Sequence, residues 1–250
     1  ALNNIKAAES YFGALYIDDA DEQAVTRQAA RYHDVNMNRL PIDTLELVDD
    51  FRYEIVRAQK LRPIWERFDF GLDIHTTRAV IKPMIIALGD VSAEMYRGFP
   101  VDIILRNIEN IQIGRPASYF YGKPGGTPIL GVEAGLHEDP AAFEMAASLV
   151  LNLLQNLEML KDERKTTPRS YEEYFVNNSV FFPDESYELV REFNSFEQLK
   201  AGQMIASGDG QPIQATATCS VVFPPPGVKR TAPLSDEVLF LSEPVKIVKV

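Results

Sequence analysis

Apolar positions along the chain recur at two spacings. In residues 52–68 (RYEIVRAQKLRPIWERF), Ile55, Val56, Ala58, Leu61 and Ile64 stand at near-helical intervals. Pro63 lies inside that pattern, where it is expected to kink or end the helix. Residues 21–31 are also helix-permissive. The next segment, DFGLDIH, is short and apolar with a polar end and reads as a buried strand. Residues 79–88 (AVIKPMIIAL) and 101–105 (VDIIL) read as two more strands, the first placed at an edge or made irregular by Pro83. Residues 119–135 (YFYGKPGGTPILGVEAG) form a glycine- and proline-rich loop feeding a short strand that ends at Glu133. A long helix is expected over 139–162, its start marked by Asp139 as N-cap and Pro140 at the first helical position. Strands alternating with helices indicate an α/β layer, with ligands bound at strand ends.

After Lys165 the texture changes. TTPRS forms a linker, YEEYFVNNSVFFP alternates with period two, and QMIASGDGQPIQATATCSVVFPPP holds short strands broken by Gly-Asp-Gly and a triple proline. The expected organisation is therefore an α/β domain over 1–165 and a small all-β domain over 166–250.

Composition narrows the classes. A content of 46% hydrophobic and 24% charged residues in 250 is that of a folded globular chain. No apolar run reaches the roughly 18 residues a membrane span needs, and no basic start leads into an apolar core, so neither membrane insertion nor secretion is expected. A lone cysteine, Cys219, fits a reducing compartment, and the cytoplasm is the expected location. The net charge of −11 argues against a nucleic-acid partner, since phosphate backbones are bound by clustered cations.

The candidate chemistry is sparse. Only His33, His75 and His137 exist, so a three-histidine zinc site would consume all of them. His75 ends a predicted strand, with Asp73 two residues earlier on the same side; it is either a satisfied histidine at a strand terminus or a ligand in a mixed histidine–carboxylate site. His33, between Tyr32 and Asp34, and His137, just before the helix N-cap, read as structural or solvated. Asn38 and Arg39 in HDVNMNRLP, with Arg31 seven residues before Asn38, are donors suited to a carboxylate; the plain alternative is an arginine paired with a surface acid. Glu133 is a carboxylate in apolar sequence, either buried with a partner or a proton shuttle. Tyr119, Tyr121 and Lys123 lie in the preceding loop, solvated or donating to a substrate oxyanion.

Five segments in this order resemble the succinylglutamate desuccinylase and aspartoacylase family of zinc-dependent amide hydrolases, relatives of the zinc carboxypeptidases. They are RYHDVNMNRLP, YEIVRAQ, LDIHTT, GVEAG and AGQMIASGDGQPI. The resemblance spans the chain from Asn3 onward and implies a zinc-carboxypeptidase-like mixed sheet flanked by helices, with a smaller all-β C-terminal domain. It implies further that His75 is a zinc ligand and Glu133 the general base and then acid. Arg39 with Asn38 would clamp the substrate carboxylate, and Arg31 would assist at the carbonyl. Asp73 would orient the metal ligand. Tyr119 stands at the offset of a family tyrosine and Lys123 where the family has an arginine, keeping the charge but not the bidentate fork. Arg78 is a candidate for a second carboxylate contact. The family's first zinc motif, a histidine with a glutamate three residues on, is expected before Asn3, so two of three protein ligands would lie upstream. The implied activity is hydrolysis of an N-acyl amino acid or a related small carboxylate-bearing amide, with zinc as cofactor and a homo-oligomer as a possible assembly. A carboxypeptidase-like peptidase and a metal-free carboxylate-binding protein are the alternatives.

Overall fold

In the computed structural model, the residues described are 5–14, 16–19, 22, 32–40, 49–77, 82–112, 127–137, 139–161, 169–229, 234 and 236–250, with Tyr11 and Asn38 described by their backbone alone. They belong to two compact units, one of residues 1–71 with 113–127 and one of 72–112 with 128–250.

The first unit is helical among its described residues. Helix α1 (Ile5–Ala14) precedes a single 3-10 turn at Met37–Arg39 and helix α2 (Tyr53–Trp65). The near-helical spacing of residues 52–68 is realised: Ile55, Ala58, Leu61 and Trp65 are buried and pack with Met37 and Leu40. Pro63 stays inside α2, which ends two residues later. Having no N–H, the proline removes one intrahelical bond, and it does so within the last turn, where little helix remains to lose.

The second unit is built on a mixed sheet. Its strands are β1 (Gly71–Thr77), β2 (Met84–Leu88), β3 (Ile103–Arg106), β4 (Ile129–Leu136), β5 (Ser170–Val180), β6 (Glu188–Leu189), β7 (Gln198–Leu199), β8 (Met204–Ser207), β9 (Ile213–Gln214), β10 (Cys219–Val222), β11 (Leu239–Ser242) and β12 (Lys246–Lys249). The main sheet runs β1-β4-β2-β3-β5-β11-β10-β7, with β12 also on β5, while β6, β8 and β9 form a second sheet. Strands β2, β3 and β5 are parallel neighbours; β4 is antiparallel to β2, with Glu133 opposite Met84. One-turn helix α3 (Ile108–Ile111) follows β3, and helix α4 (Pro140–Asn156) follows β4.

Several expectations are refined. Helix α4 begins as the Asp139-Pro140 signal indicates, with the Asp139 side chain accepting from the Ala141 N–H at 2.9 Å, but it ends at Asn156 rather than 162. The strand expected over 79–88 is seen as β2 from Met84, just past Pro83; residues 78–81 lie outside the described residues. β1 is a strand as expected, but half-buried rather than buried, because it stands at one end of the strand order. The expected boundary at 165/166 falls within 162–168, outside the described residues. β5 begins beside β3 and continues beside β11, so the C-terminal strands extend the main sheet. Their core gathers Val180, Phe182, Tyr187, Leu189, Leu199 and Val221.

Candidate functional site

Strand periodicity puts Asp73 and His75, two residues apart on β1, on one face. Their side chains meet: His75 Nε2 lies 3.1 Å from Asp73 Oδ1. When Nε2 carries the proton donated to this carboxylate, the ring's acceptor lone pair is on Nδ1, the arrangement by which a carboxylate orients a metal-binding imidazole. Both side chains are half-buried.

Strand β4, next to β1, supplies Glu133. Its neighbours in sequence, Val132 and Ala134, are buried, and Oε2 of Glu133 is itself buried without a hydrogen-bond partner. Burial pushes its carboxyl up from 4.5 to about 7; the nearby imidazole of His75 pulls the other way, and the Asp73 carboxylate adds to the rise. A buried carboxylate lacking a donor is normally either protonated or waiting for a ligand. Such a group beside a half-buried histidine is equipped to pass a proton near neutral pH. The strand end that carries it is shaped by Gly135, whose φ of 134° is open to glycine and strained for other residues.

At the far ends of the same two strands, the His137 N–H donates to Thr77 O at 3.0 Å, and Thr76 Oγ1 lies 2.7 Å from His137 Nδ1. His137 therefore ties β4 to β1 directly beside His75.

Arg39 belongs to the other unit and is exposed at the end of the Met37–Arg39 turn. The turn is closed by the Arg39 N–H donating to Asn36 O at 2.9 Å. The side chain of Asn38 and all of Arg31, Arg78, Tyr119 and Lys123 lie outside the described residues. The structure thus brings together Asp73, His75 and Glu133 and describes Arg39 separately. His33 stacks edge-on to Tyr53, with ring centroids 5.9 Å apart, as suits a structural role.

Zinc chemistry needs about three protein ligands around an open position. Among the described residues no group of three or more His, Cys, Asp or Glu side chains could hold a metal ion. What is present suits one ligand position, His75 oriented by Asp73, with the orphaned Glu133 oxygen beside it. Sequence reasoning overlooked two features: the Thr76–His137 link and Glu54, a fully buried carboxylate in α2. Both rest on contacts across 19 or more residues, which periodicity does not register.

No family model matches the sequence, and no curated protein matches it significantly. Solved structures do. The succinylglutamate desuccinylase of Vibrio cholerae aligns over 92% of this chain and 73% of its own, with TM-score 0.66 and 16% identity. The Vibrio parahaemolyticus desuccinylase aligns over 92% and 69%, with TM-score 0.64 and 15% identity. Murine aminoacylase 3 aligns over 91% and 82%, with TM-score 0.61 and 20% identity. The mixed sheet, its helices and the C-terminal strands are thus the fold of the succinylglutamate desuccinylase and aminoacylase 3 structures, the fold that the ordered sequence segments resemble.

Proposed function

We propose that this chain is a metal-dependent hydrolase that cleaves the amide bond of an N-acyl amino acid or a related small amide bearing a carboxylate, with zinc as the metal. The observation that carries the reading is the buried, unpartnered Oε2 of Glu133 beside the Asp73–His75 pair. The five ordered sequence segments and the shared fold support it.

In this reading His75 is one ligand of the zinc ion, with Asp73 fixing its tautomer. A bound zinc would supply Lewis-acid polarisation of the amide carbonyl and lower the pKa of water. Glu133 takes a proton from the attacking water and returns it to the leaving nitrogen; a carboxyl poised near 7 is suited to both directions. Arg39, with Asn38, grips the substrate carboxylate, and Arg31 supports the carbonyl oxygen. Tyr119 and Lys123 complete the substrate contacts.

The test is turnover of N-acyl amino acids by the zinc-supplemented protein and its variants. Glu133→Ala should lower kcat/KM by roughly 10²- to 10⁴-fold, as loss of a general base does. His75→Ala should abolish zinc-dependent turnover while the circular dichroism spectrum stays that of the wild type. Unchanged activity in the Glu133 variant would sink the reading. The second reading is a carboxylate-binding protein that keeps the Arg39 clamp and works without metal. In that case N-acyl amino acids should bind equally well with and without chelator.

A further inference from the structure

Glu54 is the second residue of α2 and its side chain is fully buried. Its two oxygens accept three backbone N–H groups from a segment some twenty residues earlier. Oε1 takes His33 at 2.5 Å, and Oε2 takes Asp34 at 2.9 Å and Val35 at 3.1 Å. Asp34 answers in kind, its Oδ2 accepting the Tyr53 N–H at 2.5 Å. That N–H belongs to the first turn of α2 and has no intrahelical acceptor. A carboxylate removed from water is costly unless it is hydrogen-bonded. Here three charge-assisted bonds and the positive end of α2 offset the cost.

The same stretch of chain is fastened again farther on. Met37 and Leu40 are buried against Ile55, Ala58, Leu61 and Trp65 of α2, and the Arg39 N–H closes the intervening turn. Arg39 thus rides on a segment held at a polar end by Glu54 and at an apolar end by α2, with its own side chain exposed. Val35 packs on the same apolar cluster and Asp34 takes the Tyr53 N–H, contacts that still leave the amides of residues 33–35 free to shift. The carboxylate of Glu54 removes that freedom by binding three successive amides.

The geometry points to Glu54 as a positioning residue that sets where Arg39 presents its guanidinium to the substrate carboxylate, a proposal that rests on the assignment of Arg39 above. A bidentate clamp loses its advantage when displaced by about an ångström. Loosening this anchor should therefore act on substrate capture rather than on the proton transfers at Glu133.

The experiment compares wild type, Glu54→Gln and Arg39→Ala with N-acetylglycine, N-acetyl-leucine and N-acetylglutamate as probes. Glu54→Gln keeps size but turns one acceptor oxygen into a donor facing backbone N–H groups. Its KM should rise at least about tenfold with kcat within about threefold of wild type, the signature of lost binding rather than lost chemistry. Arg39→Ala should show the same split, more strongly. A folded Glu54→Gln protein with unchanged KM, or with kcat reduced at constant KM, overturns the proposal. Should Glu54→Gln not fold, Asp34→Asn loosens the same segment from its exposed side and is scored alike. If wild type cleaves none of the probes, the hydrolase reading falls by itself, and calorimetric titration with the same probes decides the role of Glu54. At least about tenfold weaker binding in the variant supports it; equal binding, or none by wild type, overturns it.

Discussion

Glu133 is a strained choice at its position: a carboxylate whose Oε2 is buried with no donor, between two buried apolar residues. Its proton is held more tightly in the folded protein than in the unfolded chain, so folding takes up a proton between pH 4.5 and about 7. The stabilising effect of that proton is fully present below 4.5 and is lost as pH rises through about 7. The loss amounts to about 3 kcal/mol. In chelator-treated protein Glu133→Gln should therefore be more stable than wild type at pH 8 and nearly equal at pH 4.5, as read by urea unfolding at both pH values. An equal difference at the two would show that the carboxyl does not titrate in between. His75 and Glu133 stand out in the sequence because each is a lone chemical group in or ending an apolar run. Glu54 does not: in YEIVRAQ it reads as an ordinary polar position of a helix. Only the fold places it against the amides of 33–35.

Elements were legible where the local signal is chemical as well as periodic. Asp139-Pro140 announces α4, and the Asp139 carboxylate takes the Ala141 N–H as an N-cap does. Asp139→Ala should cost about 1 kcal/mol, measured as a lowered midpoint of thermal unfolding, with Asp139→Asn or Asp139→Ser largely restoring it. The burial of β1 was not legible, because an apolar run does not say whether a neighbour covers it; this strand stands at one end of the sheet order and keeps its site residues half-exposed. A contact across strands holds the other side of the sheet. Arg106 at the end of β3 donates from Nε to Glu173 Oε2 on β5 at 2.7 Å and from Nη2 to the Tyr96 hydroxyl at 3.2 Å. The pair is mostly shielded from solvent. Glu173→Ala should destabilise by about 2 kcal/mol, between the values for exposed and buried pairs, and removing Arg106 as well should cost little more. Additive losses in that double-mutant cycle would show that the two side chains do not interact.

At the scale of the whole molecule, the shift to short alternating strands after Lys165 was plain in the sequence, and so were the turn residues between them. Their pairing was not. β5 reads as the opening of an appendage, yet its first half lies parallel to β3 in the main sheet, and its second half pairs with β11. Pairing of this kind depends on which strand edges remain open after the sheet assembles, a property of the assembled fold rather than of any window of residues. Among the described residues no helix is long and apolar enough to cross a membrane. Asp73, His75 and Glu133 are proposed to form the core of a metal-dependent amide-hydrolysing site. The most direct measurement is the rate of amine release from N-acyl amino acids by the full chain, first with added zinc, then after chelation, then with zinc restored. Release that is lost on chelation and recovers with zinc is the predicted result. No release under any condition, or release indifferent to the chelator, would contradict the claim.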